Sequence, residues 1–310
     1  MPRPVLIDTD MGVDDAVAIT LALSAAEIDL AGLVSAGGNV PLDQATANVG
    51  RLLGALEPDA WPAVARGLDQ QRGGFEDATH VFGADGLGDL DLPVPEHHAP
   101  GDYLELYERL IERHGESLVI VAIGPLTNLA AVLRRRPELL ARAGQIVVMG
   151  GAIWCPGNIT AHAEFNFYRD PEAAAVVLAS GLPITVVPLD VTRQVAMDES
   201  HLAHLSCSGT RSGELLARMI RFPIDLRTED TAPGTFLVHD ALAVGVLLWP
   251  QFFMRSMMGL KMVTTGEQAG RCKPVVAKGK RRQLAVVISV QVGEFLDNLL
   301  ERLCHEKFVV

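Results

Sequence analysis

Val5-Leu6-Ile7-Asp8-Thr9-Asp10-Met11-Gly12-Val13-Asp14-Asp15-Ala16-Val17-Ala18-Ile19 joins a short apolar run to an Ala- and Leu-rich segment through a turn crowded with acids. The run Val5–Ile7 predicts a buried strand, and Ala16–Ala25 predicts a helix. Short apolar runs continue to alternate with helical segments along the 310 residues, the pattern of a parallel sheet wrapped by helices. Further strands are expected at Leu30–Ser35, Ala63–Ala65, Leu118–Ile123, Gln145–Met149, Ile184–Pro188 and Leu284–Val290. Helices are expected at Ala45–Leu56, Tyr103–Arg113, Leu126–Arg135 (ended by Pro137), Arg211–Ile220, Asp240–Leu248 and Glu294–Leu303. Asp170-Pro171-Glu172 supplies an N-cap, a proline at the first helical position and an acid in the first turn of one more.

The expectation is therefore an α/β fold: a single doubly wound domain over residues 1–310, with a mostly parallel central sheet flanked by helices. Two mobile insertions are expected, near 67–100 and 223–235. The first is rich in Gly, Asp, Pro and His and longer than an ordinary connection, which points to a functional loop. Beyond Leu248 only one strand and one helix are expected.

Composition narrows the function classes. There are 26 Lys+Arg against 38 Asp+Glu, a formal charge of −12. That balance lacks the basic footprint of a nucleic-acid or anionic-membrane partner. The four cysteines are far apart, with no CxxC pair for zinc or redox chemistry. Asp8 arrives before the apolar core of a leader could form, and no stretch is long enough to span a membrane. A cytoplasmic setting is expected.

The chemistry lies in the opening turn. Asp8, Asp10, Asp14 and Asp15 gather at the carboxyl end of the first strand, where open α/β sheets place their ligands. Singly, Asp14 reads as a helix cap and Asp15 as an acid favoured by the helix dipole. Together, such close like charges repel, and a hard divalent cation relieves the conflict.

Asp8-Thr-Asp10-x-Gly12-x-Asp14-Asp15 resembles the signature of the inosine–uridine-preferring nucleoside hydrolases. Further blocks are similar to that family, in its order: Gly37-Gly38-Asn39-Val40; Ile123-Gly-Pro-Leu-Thr-Asn128; Val148-Met149-Gly-Gly-Ala152; Gly157-Asn158; Ala163-Glu164-Phe-Asn166; and Val238-His239-Asp240. The resemblance implies hydrolysis of the N-glycosidic bond of ribonucleosides with one bound Ca²⁺. It places the ion on Asp10, Asp15, Asp240 and the backbone carbonyl of Ile123, with Asp10 as the base that takes a proton from water. His239 becomes the acid that protonates or polarises the departing base. Asp14, Asn39, Asn158, Glu164 and Asn166 become ribose ligands, and Met149 an apolar wall along the sugar. A homodimer or homotetramer is also implied.

Read residue by residue, Asn39 and Asn158 each follow a glycine and suit turn positions, and His239 suits a helix start. Glu164 and Asn166, two apart in an apolar context with Phe165 and Phe167, would share one face of an extended piece. One departure stands out: Phe82 occupies the place of a histidine that the family commonly carries in a His-Gly-x-x-Gly-type loop, with His80 two residues earlier. Arg227, Glu229 and Asp230 fall in the second insertion, without an assigned role.

Two other readings stay open. Asp8-Thr-Asp10 is similar to the first half of the Asp-x-Asp-x-Thr/Val motif of haloacid-dehalogenase-type Mg²⁺ phosphatases, with Asp8 as nucleophile, although Gly12 breaks the second half. The Phe82 exchange also suits a non-catalytic nucleoside or ribose binder.

Overall fold

The computed structural model describes residues 1–69, 77–96, 98–226, 232–276 and 283–305. Its strands are β1 (Arg3–Thr9), β2 (Ile28–Ser35), β3 (Ala63–Arg66), β4 (Gly101–Asp102), β5 (Val119–Ala122) and β6 (Gln145–Met149). They continue as β7 (Ile184–Val187), β8 (Ala196–Asp198), β9 (Thr235–Leu237), β10 (Phe253–Met262), β11 (Cys272–Val275) and β12 (Leu284–Val290). Among the described residues a ten-stranded sheet runs in the order β11-β10-β12-β7-β6-β5-β1-β2-β3-β4. Neighbours from β4 across to β12 are parallel. The chain winds outward from β1 to β4 and then returns to set β5 on the other side of β1. The β1–β5 boundary is thus a topological switch point, whose crevice at the strand carboxyl ends receives ligands in such folds.

Helices cover both faces, so the central strands read as continuous apolar runs. Val5 and Ile7 of β1 pack with the helices Val13–Ser24, His239–Leu248 and Val292–Leu303. Leu6, pointing the opposite way, packs with Tyr103–His114 and Thr127–Arg135. The Asp170 cap is as expected, its carboxylate accepting from the Ala173 amide at 2.9 Å.

Several expectations are corrected. Two antiparallel strands, β10 and β11, extend the sheet beyond β12. The burial of β10 does not alternate, and β11 contains Pro274, tolerated because β11 is the sheet edge. Pro137 opens a short helix, Pro137–Leu140, as well as following one. The helix Arg211–Asp225 runs through Pro223, which lies in its last turn and so removes one ladder bond near the end. Thr235–Leu237 pairs with β8 as a small two-stranded sheet. The 67–100 segment holds a short helix, Thr79–Phe82. Arg227, Glu229 and Asp230 lie outside the described residues. Among the described residues no helix is long and apolar enough to cross a membrane.

Candidate active site

The turn after β1 is built on its own side chains. Met11 adopts a left-handed backbone with φ 53°, uncommon for a residue with a side chain. Thr9 supports it, its hydroxyl accepting from the Met11 amide at 3.2 Å while donating to Asp15 Oδ1. Asp15 also accepts from the Gly12 amide at 2.8 Å and the Asp10 amide at 3.3 Å. The carboxylate thereby closes the first turn of Val13–Ser24, as a third helical residue does in a capping box. Gly12 must be small, since a Cβ there would lie 2.7 Å from Asn39 Nδ2 and 2.9 Å from the Phe82 ring.

Asp10 is fixed from the next loop. Asn39 donates its backbone N–H to Asp10 Oδ2 at 2.8 Å, and its amide Nδ2 to Asp10 Oδ1 at 3.1 Å and Asp15 Oδ2 at 3.0 Å. Asn39 is thus an anchor of the acid cluster as well as a wall of the cavity described below.

Asp240 arrives from a distant segment, in the first turn of His239–Leu248. Carboxylate oxygens of Asp14, Asp15 and Asp240 lie within 4.8 Å of one another, and all three residues are buried. Asp14 Oδ1 and Asp240 Oδ1 are buried with no hydrogen-bond partner. Burial and the Asp15 charge push the Asp14 carboxyl up to about 8. Burial, then the charges of Asp15 and Asp14, holds Asp10 well above the usual carboxylate range. Asp240 is raised by burial and by Asp14, Asp15 and Asp10, and Asp15 by burial. Buried like charges with orphaned oxygens cost free energy unless a cation or protons compensate. An oxygen-only, carboxylate-rich set fits a hard divalent cation. The tightest triad is Asp14, Asp15 and Asp240; Asp10, assigned to the ion by resemblance, stands beside it with both oxygens engaged by Asn39.

Above the cluster lies a cavity of about 560 Å³. Its walls bring together Asp14, Asn39, Ile123, Met149, Asn158, Glu164, Asn166, His239 and Asp240. Asp10 and Asp15 are fully buried and do not line it. Asn166 donates from Nδ2 to the Ile123 carbonyl at 2.9 Å and toward the Met149 carbonyl and sulfur at 3.4 and 3.5 Å. Glu164 and Asn166 do not lie on an extended piece: Glu164 caps the helix Phe165–Arg169. Its carboxylate accepts from the amides of Asn166 (2.7 Å), Gly151 (2.9 Å) and Phe167 (3.1 Å), which orients it at the cavity floor. Asn158 Oδ1 accepts from the Phe165 amide at 2.9 Å.

His239 is half-buried, with Nδ1 2.7 Å from the Thr192 hydroxyl. Burial, helped by the Arg193 charge, pushes its imidazole down to about 4, so it is neutral near pH 7. Phe82 and His80 both line the cavity, Phe82 buried and His80 exposed. Asp8 does not line it. Burial pushes its carboxyl up to about 7, and it accepts from Tyr107 Oη at 2.7 Å and Asn128 Nδ2 at 3.0 Å. A nucleophile would have to face the cavity, so the phosphatase reading finds no support there. Sequence reasoning missed Thr192 and Arg193, because their partners are a distant ring and backbone carbonyls.

The sequence profile of the family described as inosine-uridine preferring nucleoside hydrolase matches residues 5–297. The chain belongs to this family, and is a ribonucleoside hydrolase acting on N-glycosidic bonds. It is 32% identical to the pyrimidine-specific ribonucleoside hydrolase RihA of Citrobacter koseri, over 98% of both chains. The solved purine-preferring ribonucleoside hydrolase from Gardnerella vaginalis superposes with a TM-score of 0.91, at 31% identity over 97% of this chain and 98% of that one. A plant nucleoside hydrolase, PpNRh1, gives a TM-score of 0.87 at 29% identity, covering 98% and 99%.

Proposed function

We propose that the chain hydrolyses ribonucleosides to ribose and free base in a calcium-dependent reaction. The observation that carries the calcium reading is the buried, unpartnered Asp240 Oδ1 in a carboxylate cluster with Asp14 and Asp15. Asp10, Asp15, Asp240 and the Ile123 carbonyl would hold the ion. Calcium suits them because it accepts six to eight oxygens in irregular geometry, whereas Mg²⁺ demands an octahedron. When bound, such an ion lowers the pKa of a water and orients the sugar.

The protein groups do the rest. Asp10 takes the proton of the attacking water, with both its oxygens fixed by Asn39. As the base departs, the ribosyl C1′ gains oxocarbenium character, and water adds by direct displacement with inversion. Asp14, Asn39, Asn158, Glu164 and Asn166 supply donors and acceptors for the ribose hydroxyls, and Met149 lies along the sugar. His239 meets the Thr192 hydroxyl through Nδ1, and the tautomer protonated at Nε2 donates that proton toward the leaving base. Because the imidazole is neutral, this proton comes from a neutral ring, not an imidazolium. The reading includes a cytoplasmic homodimer or homotetramer, which light scattering and fractionation test.

The deciding experiment assays reducing sugar from a panel including inosine and uridine, with and without chelator. Ribose release abolished by chelation and by Asp10→Ala supports the reading. Binding without release supports the binder, and phosphate release lost in Asp8→Asn supports the phosphatase.

A further inference from the structure

We propose that Arg193 is a positioning residue for ribose, acting through the loop that presents Asn158. The inference rests on the nucleoside hydrolase reading above. Arg193 follows the short helix Leu189–Thr192, at the carboxyl end of β7, and lines the cavity. Its guanidinium donates from Nη1 to the Pro156 carbonyl at 2.6 Å and from Nη2 to the Gly157 carbonyl at 2.9 Å. Three residues earlier, Asp190 grips the same loop with the opposite polarity. Its Oδ2 accepts from the Ile153 amide at 2.9 Å and its Oδ1 from the Trp154 amide at 2.7 Å. An anion thus takes two loop N–H groups, and a cation fills two loop carbonyls.

The next residue is Asn158. Its backbone N–H reaches the Ala163 carbonyl at 3.2 Å, and its Oδ1 accepts from the Phe165 amide at 2.9 Å. The amide Nδ2 is then the donor left for a sugar hydroxyl. Between the two clamp residues, Thr192 holds His239 at 2.7 Å. One turn therefore sets both the sugar loop and the leaving-group histidine. Charge-assisted bonds are about twice as strong as neutral ones, and a planar guanidinium spans two carbonyls where an ammonium does not.

Loosening this loop weakens ribose contacts made alike in the ground and transition states, so KM rises while kcat stays nearly constant. The test is a mutant cycle of Arg193→Ala, Asn158→Ala and the double variant, with nucleoside turnover and competitive inhibition by free ribose. Arg193→Ala should raise KM and the ribose inhibition constant about tenfold with kcat within about threefold. The double variant should be no worse than Asn158→Ala, and Arg193→Lys should recover little. Additive losses, a fall in kcat at constant KM, or full recovery by lysine overturns the proposal. If Arg193→Ala does not fold, Arg193→Lys carries the same cycle with the same outcomes. If the wild type releases no ribose, the functional reading fails by itself, and ribose calorimetry on the same variants still decides the role of Arg193.

Discussion

Asp14, Asp15 and Asp240 differ in what each can reach: Asp15 closes its own helix turn, Asp14 faces the cavity, and Asp240 comes from another helix. That division predicts a division of phenotype. Asp15→Asn and Asp240→Asn should lose bound calcium, read by equilibrium dialysis, whereas Asp14→Asn should keep the ion and raise KM about tenfold or more. His239→Ala should lower kcat on inosine by about 10²- to 10⁴-fold, and the loss should shrink for a riboside whose leaving group needs no proton, such as p-nitrophenyl riboside. An equal loss on both substrates would show that His239 does not serve the leaving group. The four acids of the opening turn are legible in the sequence because they are near neighbours there. Asp240 and the Ile123 carbonyl are read only through family resemblance, since nothing local marks them. Thr192 is silent for a physical reason: its hydroxyl meets a ring 47 residues away, and that contact exists only once the sheet is wound.

At the level of elements, the parallel strands are legible because burial on both faces makes each an apolar run, and β5 is buried at all four positions. The antiparallel edge is not, because one of its strands mixes exposed and buried residues irregularly and the other carries a proline. Glu164 illustrates a different failure. An acid two residues from Asn166 beside Phe165 reads as one face of a strand until its three amide partners reveal a helix cap. The loop after β2 approaches Asp10 so closely that a Cβ on Gly38 would lie 1.9 Å from Asp10 Oδ2. Gly38→Ala must therefore displace the base, and steady-state assays should show kcat falling by about 10²-fold while the melting temperature changes modestly. Wild-type turnover in this variant would remove Asp10 from the chemistry.

For the whole molecule, the acid cluster links stability to pH and to calcium. Asp14, near 8 in the folded chain against 3.8 ordinarily, binds a proton more tightly when folded. A group raised in this way stabilises the fold below its unfolded pKa and loses that contribution as pH rises through the folded value. The chelated protein should thus become less stable between about pH 4 and 8, as followed by urea denaturation. Calcium should flatten the profile, adding about 3 kcal/mol at a hundredfold excess over Kd. A chelated protein that gains stability over that range would contradict the assignment of an uncompensated cluster.

The most direct test strips the protein of metal and adds calcium back while bound ion and ribose release are measured on the same samples. Turnover should rise in step with occupancy and stop near about one ion per chain, the capacity of a single multi-oxygen site. Full turnover from the stripped protein, or calcium uptake with no gain in ribose release, would contradict the account.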